Sequence, residues 1–281
     1  MNLRLSKGAG YMLISLIAFS LMHLLVKFIS NIPVPEVIFF RSVIALALSY
    51  AMIRKQGISP WGTHRLLLVF RGLAGVTSLL AFFYAIQHMP LATVVTITNL
   101  VPFFAMLLSV FFIGEKISFT QWALVSIAFV GVYLIKGFDE RVKIEYLIVA
   151  LFAAFFTALA HFLVRSLRDT DHENVIIFYF PLVSIPIVLG PMLYYWVTPN
   201  YTEALFLLAI GGVSQVGQIF LTRAYRYEEI GNVAGLYYIG LLLALGYGYF
   251  FFEETFNTIT LTGMLLVLSG AVSSVVSKKT S

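Results

Sequence analysis

Four basic side chains lie inside long apolar runs, where each must find a partner, reach water or face a cavity. They are His23, Lys27, Arg41 and Arg71. Charge is expensive in such surroundings, and the centres of the runs contain no Asp or Glu that could neutralise it. If these groups face inward, they predict a cavity that favours an anionic or zwitterionic ligand, because the arginine fork binds two carboxylate or phosphate oxygens at once.

An alternative interpretation places the same groups at a membrane surface. Both arginines begin within about 9 Å of an end of their run, so a long side chain can extend to water from there. His23 and Lys27 are four residues apart, and so are His161 and Arg165, which puts each pair on one helical face. In this alternative the histidines pack against neighbouring helices while Lys27 and Arg165 reach the surface.

Uncharged polar residues form a second set of candidates. Gly211, Gln215, Gln218 and Thr222 recur at helical spacing and make one small and polar stripe on an otherwise apolar run. Such a stripe either lines a ligand cavity or joins two helices by hydrogen bonds and close packing. We favour the cavity, and we predict that Gln215 and Gln218 contact the ligand.

A proline and a glycine mark two runs that should bend. Pro102 removes a backbone donor, so it should kink its helix and free a carbonyl near the middle of the run. Gly240 occupies nearly the equivalent place in a later run, and we predict that both residues act as hinges. The polar side chains beside these bends, which we also predict to bind the ligand, are Thr96, Asn99, Tyr237 and Tyr238.

Composition indicates that membrane helices position these residues. Of 281 residues, 60% are hydrophobic and 11% are charged, and the mean hydropathy is +0.94, which leaves too little polar surface for a soluble protein. Cysteine is absent from the sequence, so disulfides, iron–sulfur clusters and cysteine nucleophiles are excluded. The histidines lack the companions of a metal site, and we predict neither a metal nor a cofactor. The basic pI near 9.3 comes from short loops and implies no nucleic-acid partner.

The apolar runs predict an all-α membrane protein with ten transmembrane helices, since about 20 apolar residues cross a bilayer. The runs fall near residues 10–30, 35–53, 65–87, 91–113, 119–137, 145–167, 174–197, 203–224, 230–252 and 258–276. On the side of the N-terminus we count twelve Lys and Arg residues, against three on the other side. The positive-inside rule therefore predicts that both termini are cytoplasmic.

The two halves of the chain repeat at an offset of 139 positions. This offset relates Glu115 to Glu254 and Gly131 to Gly270, and it superposes each predicted helix of one half on a helix of the other. Because five helices is an odd number, the second half must be inverted relative to the first, an arrangement typical of secondary transporters. The predicted units are a five-helix repeat, a linker and an inverted five-helix repeat, at 1–137, 138–144 and 145–281.

Capping residues agree with this division. Ser118 followed by Gln121 predicts a capping box at the start of the fifth helix, and Asn257 is a good cap for the tenth. Glu115 and Glu254 lie beside these starts. They are candidates for proton coupling, but we favour a carboxylate placed at the surface near the positive end of the next helix.

Five short motifs follow one another between Arg71 and Glu115. They are Arg71-Gly72, Tyr84-Ala85, Pro90-Leu91-Ala92, Pro102 and Gly114-Glu115. In order and spacing they resemble the EamA branch of the drug/metabolite transporter superfamily, and the resemblance covers nearly the whole chain. It implies a carrier that works by alternating access, with a cavity lined by the third, fourth, eighth and ninth helices.

The resemblance makes ATP-independent transport of a small organic metabolite the expected activity, driven by the substrate's own gradient or by protons. We expect an exporter or exchanger of amino acids, carboxylates or S-adenosylmethionine-like solutes. A lipid flippase or a structural membrane subunit is the alternative. The sequence lacks a P-loop, a GxSxG turn and an HExxH motif, so we do not expect an enzyme. We expect a monomer or homodimer in a bacterial inner membrane, with substrate, protons and lipid as its partners.

Overall fold

The computed structural model describes residues 6–114, 118–227 and 236–277, and every regular element in these ranges is a helix. In chain order the helices are α1 (Lys7–Phe28), α2 (Val34–Gln56), α3 (Arg65–His88), α4 (Leu91–Thr98), α5 (Val101–Ile113), α6 (Phe119–Phe138), α7 (Ile144–Leu167), α8 (Glu173–Tyr194), α9 (Tyr201–Tyr227), α10 (Tyr237–Phe252) and α11 (Thr258–Ser277). The predicted all-helical fold class is confirmed.

Most of these helices have the length and composition of membrane spans. Within the described ranges, eight segments are long and apolar enough to cross a membrane, with α4 and α5 together forming one segment from Leu91 to Phe112. Two shorter apolar helical stretches are Tyr237–Phe252, which is α10, and Thr258–Ser273, which is the first part of α11. The start of the ninth predicted run and Glu115 lie outside the described residues. The number ten and the inversion therefore stay predictions.

The predicted helix caps are present. The backbone N–H of Gln121 donates to Ser118 Oγ at 3.3 Å, and Ser118 N–H donates to Gln121 Oε1 at 2.9 Å, which completes a capping box on α6. At the start of α11, the N–H of Thr260 donates to Asn257 Oδ1 at 2.7 Å. Each cap satisfies backbone donors that the first turn of a helix otherwise leaves free.

Contacts between the connecting segments sort them into two ends of the bundle. Where α1 begins, the ring centroid of Tyr11 lies 5.8 Å from that of Tyr227 at the end of α9. Where α1 has ended, Asn31 Nδ2 donates to Glu203 Oε1 near the start of α9, so these two helices are antiparallel. We call these the N-terminal end and the opposite end. Further contacts at the N-terminal end are Thr63 with Asp171 and Gln56 with Asn174, and at the opposite end Phe138 with Asn257 and Arg141 with Thr255.

The helix bounds repeat at the 139-residue offset found in the sequence. α2 begins at Val34 and α8 at Glu173, and α6 and α11 match at both their first and their last residues. The packing partners follow the same relation, because α2 packs on α8, α6 packs on α11, and the pair α1 and α9 corresponds to the pair α7 and α3. The α6–α11 pair stands to one side, and the other helices surround the centre of the bundle.

The α6–α11 contact requires a glycine. A Cβ atom at Gly131 would lie 2.8 Å from the backbone nitrogen of Val267, and backbone cannot move aside as a side chain can. We expect Gly131→Ala to force the helices apart and to lower the free energy of unfolding by about 1–3 kcal/mol. The measurement is thermal denaturation in detergent. Gly137→Ala on the same helix is the control, since a Cβ there would meet none of the described residues within 4 Å. Equal destabilisation by both changes would contradict the prediction.

Candidate functional site

A cavity of about 240 Å³ lies at the centre of the bundle. Residues of every helix except α6 and α11 line it, so it sits where the two proposed halves of the chain face each other. The wall is mostly apolar. Its polar and charged side chains are Ser15, Ser20, His23, Arg41, Arg71, Ser78, Thr98, Asn99, Thr157, His161, Gln218, Tyr225 and Tyr237.

Two buried arginines share one aromatic ring in this wall. The Cζ atoms of Arg41 and Arg71 lie 4.9 Å and 4.8 Å from the ring centroid of Phe180, so the two charges are less than about 10 Å apart. The side chains are 3% and 4% exposed. Gly75, one turn after Arg71, makes room for this ring, because a Cβ there would lie 2.7 Å from it. Packing of α8 against α2 and α3 thus brings the two guanidinium groups together.

These arginines have no counter-ion in the part of the chain that the structure describes. No described Asp or Glu makes an ion pair with either, and the Nε and Nη1 atoms of both have no hydrogen-bond partner. A buried charge is stable only when it is paired and hydrogen-bonded. The cavity therefore offers two forks of unused donors, the geometry that suits a carboxylate or phosphate group.

A chain of hydrogen bonds runs along another part of the wall. The Tyr225 hydroxyl lies 3.2 Å from His161 Nδ1 and 3.2 Å from the Tyr237 hydroxyl, which joins α7, α9 and α10. Close by, Ser78 and Thr157 Oγ atoms lie 2.5 Å apart and link α3 to α7. These contacts place several proton donors and acceptors beside the charged site.

The span predicted at 91–113 is broken into α4 and α5 at the cavity. Its break falls at Asn99 and Leu100, two residues before Pro102, which has no N–H to offer the Thr98 carbonyl. Asn99 Nδ2 is buried and has no partner in the described structure, and the residue lines the cavity. Discontinuous helices of this kind are typical of binding sites in secondary transporters.

The structure brings most of the sequence candidates into one wall. His23, Arg41, Arg71, Asn99, Gln218 and Tyr237 line the cavity, as do the two hinge candidates Pro102 and Gly240. Thr96, Gln215, Tyr238 and Lys27 are not among the lining residues.

Three uncharged candidates, Tyr238, Thr96 and Gln215, do not line the cavity. Adjacent helical residues point about 100° apart, so Tyr237 faces the cavity while Tyr238 packs against the main apolar core. Thr96 Oγ1 donates to the Ala92 carbonyl of its own helix at 2.7 Å. Gln215 is buried, and its Nε2 has no partner in the described structure.

The expectation that Lys27 lacks an acidic partner is wrong. Its Nζ lies 2.7 Å from Glu254 Oε1 and donates to the Met89 carbonyl at 2.6 Å. Glu254 also accepts from the N–H of Leu91 at 2.9 Å, so this buried carboxylate caps the start of α4, whereas we expected it at the surface near the start of α11. This cluster ties α1, α4 and the α10–α11 connection together at the opposite end of the bundle.

We expect Glu254→Gln to destabilise the protein by about 3 kcal/mol, since it leaves the Lys27 charge unpaired beside a capped helix start. Lys27→Met should destabilise by a similar amount. Because both changes remove the same contact, the double variant should lose less stability than the two single losses added together. Thermal unfolding of the four proteins measures this coupling, and strictly additive losses would show that the pair contributes nothing.

Several lining residues escaped the sequence interpretation. Tyr225 continues the polar stripe one heptad beyond Gln218, and extending the stripe would have found it. Thr157 lies one turn before His161, on the same face. Phe180 carries no polar signal, although the repeat offset pairs it with Arg41.

Comparison with known proteins identifies the family. Residues 6–137 match the model of the EamA-like transporter family. The pseudopaline exporter of Pseudomonas aeruginosa is 34% identical over 271 residues, which cover 95% of each chain. The protein belongs to the EamA-like transporter family. The resemblance found in the sequence is confirmed, and this EamA-like transporter is an integral membrane protein.

Other similarities extend along the same EamA-like chain. The S-adenosylmethionine uptake transporter of Rickettsia felis is 25% identical over 97% of this chain and 93% of its own. A solved crystal structure superposes with a TM-score of 0.66 at 17% identity, over 95% of this chain and 98% of that one. That likeness shows the fold alone. Both named relatives are transporters of small molecules, and neither is named as an enzyme.

Proposed function

We propose that this EamA-like protein is a secondary transporter that carries small anionic or zwitterionic metabolites by alternating access, without ATP. The observation that carries the proposal is the pair of buried arginines that line a central cavity beside one aromatic ring and have no acidic partner among the described residues. Amino acids, carboxylates and S-adenosylmethionine-like solutes are the substrate classes we propose, because each carries a carboxylate group that the two arginines can bind.

The charge of the cavity supports an anion over a cation. A unit charge about 8 Å away contributes roughly 2 kcal/mol at an effective dielectric of 20, so each arginine repels a cation and attracts a carboxylate by about this amount. Desolvation of the carboxylate offsets part of the gain. Gln218, Asn99 and Tyr237 then hold the polar and ring portions of the substrate, and His23 contributes from α1.

Alternating access requires two bodies that move about the site. The helix bounds that match at an offset of 139 residues support two inverted five-helix repeats at 1–137 and 145–281, with 138–144 as the linker. The break before Pro102 and the open surroundings of Gly240 support hinges in α5 and α10, because among the described residues a Cβ at Gly240 would meet only Leu16, 3.9 Å away. In this proposal both termini are cytoplasmic, in a bacterial inner membrane, and the transporter is a monomer or homodimer.

The two named relatives favour export as the direction of transport. The exporter from Pseudomonas aeruginosa is more similar to this chain than the uptake transporter from Rickettsia felis. Export or exchange is therefore the direction we propose. Coupling to the substrate's own gradient is enough for exchange.

Counterflow in proteoliposomes tests the proposed function. Purified protein is reconstituted into vesicles loaded with unlabelled glutamate, and uptake of labelled glutamate is followed with and without internal glutamate. We expect saturable uptake that internal glutamate accelerates and ATP does not. A lipid flippase would instead move a fluorescent phospholipid between leaflets without any solute flux, and a structural subunit would move neither.

A further inference from the structure

One tyrosine lines both the central cavity and a crevice at the N-terminal end of the bundle. Tyr225, which contacts both His161 and Tyr237, also lines a small crevice among charged side chains at that end. Two of them, Glu173 and Arg226, form an ion pair at 3.7 Å. The Tyr225 side chain therefore borders both the cavity, where its hydroxyl contacts an imidazole, and a charged crevice at the N-terminal end.

This arrangement has the chemistry of a proton path. A phenol hydroxyl both donates and accepts, so it can give its proton to an imidazole nitrogen and take another from the far side. Histidine is the side chain whose ordinary titration falls in the physiological range. Within the described ranges, the residues that line the cavity include no carboxylate. The histidines are therefore the cavity groups suited to carry a proton.

Building on the proposed function, we propose that His161 is the proton-binding group of this transporter and that it takes up a proton together with an anionic substrate. The proton enters from water on the N-terminal side. Tyr225 passes its hydroxyl proton to Nδ1 of His161 and receives one in return. The imidazole becomes an imidazolium ion, the tyrosine is unchanged, and the cavity gains one positive charge.

The charges around His161 set the sign of the coupling. The titratable and charged groups that line the cavity are His23 on α1, Arg41 on α2, Arg71 on α3, His161 itself, Tyr225 on α9 and Tyr237 on α10. Those that line the crevice are Arg165 on α7, Arg168 and Asp171 between α7 and α8, Glu173 on α8, and Tyr225 and Arg226 on α9. Helices α4 and α5 contain no titratable residue. Glu173 is already paired with Arg223 and Arg226.

In the empty cavity, Arg41 and Arg71 therefore repel a third positive charge, so His161 stays neutral. A bound anion cancels that repulsion and favours the imidazolium ion. Because linkage is reciprocal, the proton tightens anion binding by the same factor. Anion and proton are thus loaded together from the N-terminal side, so each exported anion carries one proton outward and the substrate's own gradient drives both.

Anion binding and proton uptake by the purified full-length protein test this coupling. The probe is ethanedisulfonate, whose two sulfonates stay ionised between about pH 6 and pH 8, where histidine titrates. In the wild type we expect the Kd to fall as the pH is lowered, by at most about tenfold per pH unit for one proton. Binding should also take up about one proton per anion in weakly buffered solution.

His161→Gln keeps a polar group beside Tyr225 but cannot hold the proton, so its Kd should be independent of pH and its proton uptake absent. His88→Gln is the matched control, since His88 is exposed and outside the cavity, and it should behave as the wild type.

Tyr225→Phe should keep the pH dependence of the Kd but slow pH-driven anion transport. Transport at the wild-type rate in Tyr225→Phe would show that Tyr225 is not part of the proton path to His161.

The outcomes separate the two proposals. A wild-type Kd that does not change with pH, or a pH dependence that survives in His161→Gln, would overturn proton coupling at His161 and leave the anion site standing. Loss of the pH dependence in His23→Gln but not in His161→Gln would overturn it as well. Failure of the wild type to bind ethanedisulfonate at any pH would instead count against the proposed anion transporter itself.

Discussion

Arg71→Ala should reduce glutamate counterflow in proteoliposomes by at least tenfold, and Arg41→Ala should do the same. Each guanidinium is buried and lacks a counter-ion among the described residues, and in the proposed transporter the substrate carboxylate supplies the missing charge. One such interaction of about 2 kcal/mol corresponds to about thirtyfold in affinity. The loss should appear as a raised Kd for the anion, with the protein still folded and monodisperse.

Conservative and distant variants sharpen this prediction. Arg71→Lys keeps the charge but loses the two-pronged fork, so its loss should be intermediate. Arg54→Ala removes an exposed arginine from the last turn of α2 and should leave transport unchanged. If Arg41→Ala and Arg71→Ala both transport as the parent does, the two arginines serve only as structural groups of the bundle.

Pro102→Ala should slow transport by up to about a hundredfold while changing glutamate affinity by less than about threefold. Alanine supplies the N–H that proline lacks, so α4 and α5 can join into one straight helix through Asn99 and Leu100. A proline inside a helix costs about 3 kcal/mol, and removing it shifts the equilibrium toward the straight form by a similar amount. Counterflow rates and equilibrium binding measured on the same preparation separate turnover from affinity.

Pro186→Ala is the matched control for the hinge. Pro186 also lies inside a helix, α8, but it is exposed and outside the cavity, so the same chemical change should leave turnover as it was. A Pro102→Ala protein that transports at the parental rate would mean that the α4–α5 break is a fixed feature of the site and not a hinge.

Local and compositional features of the fold could be predicted from the sequence. Hydropathy places membrane spans within a few residues, because a bilayer accepts little else. The Ser118 capping box needs only residues three positions apart, and it forms as predicted. Arg41 and Arg71 stand out because charge is rare within apolar runs, and both line the cavity.

Features that depend on how helices pack could not be predicted in the same way. Glu254 caps α4 from 163 residues away, so no local pattern links it to Leu91, and its pairing with Lys27 follows from that approach. The contact of Phe180 with both arginines depends on how α8 packs against α2 and α3. The choice between Tyr237 and Tyr238 depends on the phase of α10, which an apolar sequence does not reveal.

The charge preference of the purified protein tests the central claim most directly. Succinate, succinamide and putrescine have similar lengths and carry two negative charges, none and two positive charges. We predict that succinate alone raises the Tm of the wild type, and that it has no effect on the Arg41→Ala/Arg71→Ala double variant. A Tm raised by putrescine, or raised by succinate equally in the wild type and the double variant, would contradict an anion site built on these arginines.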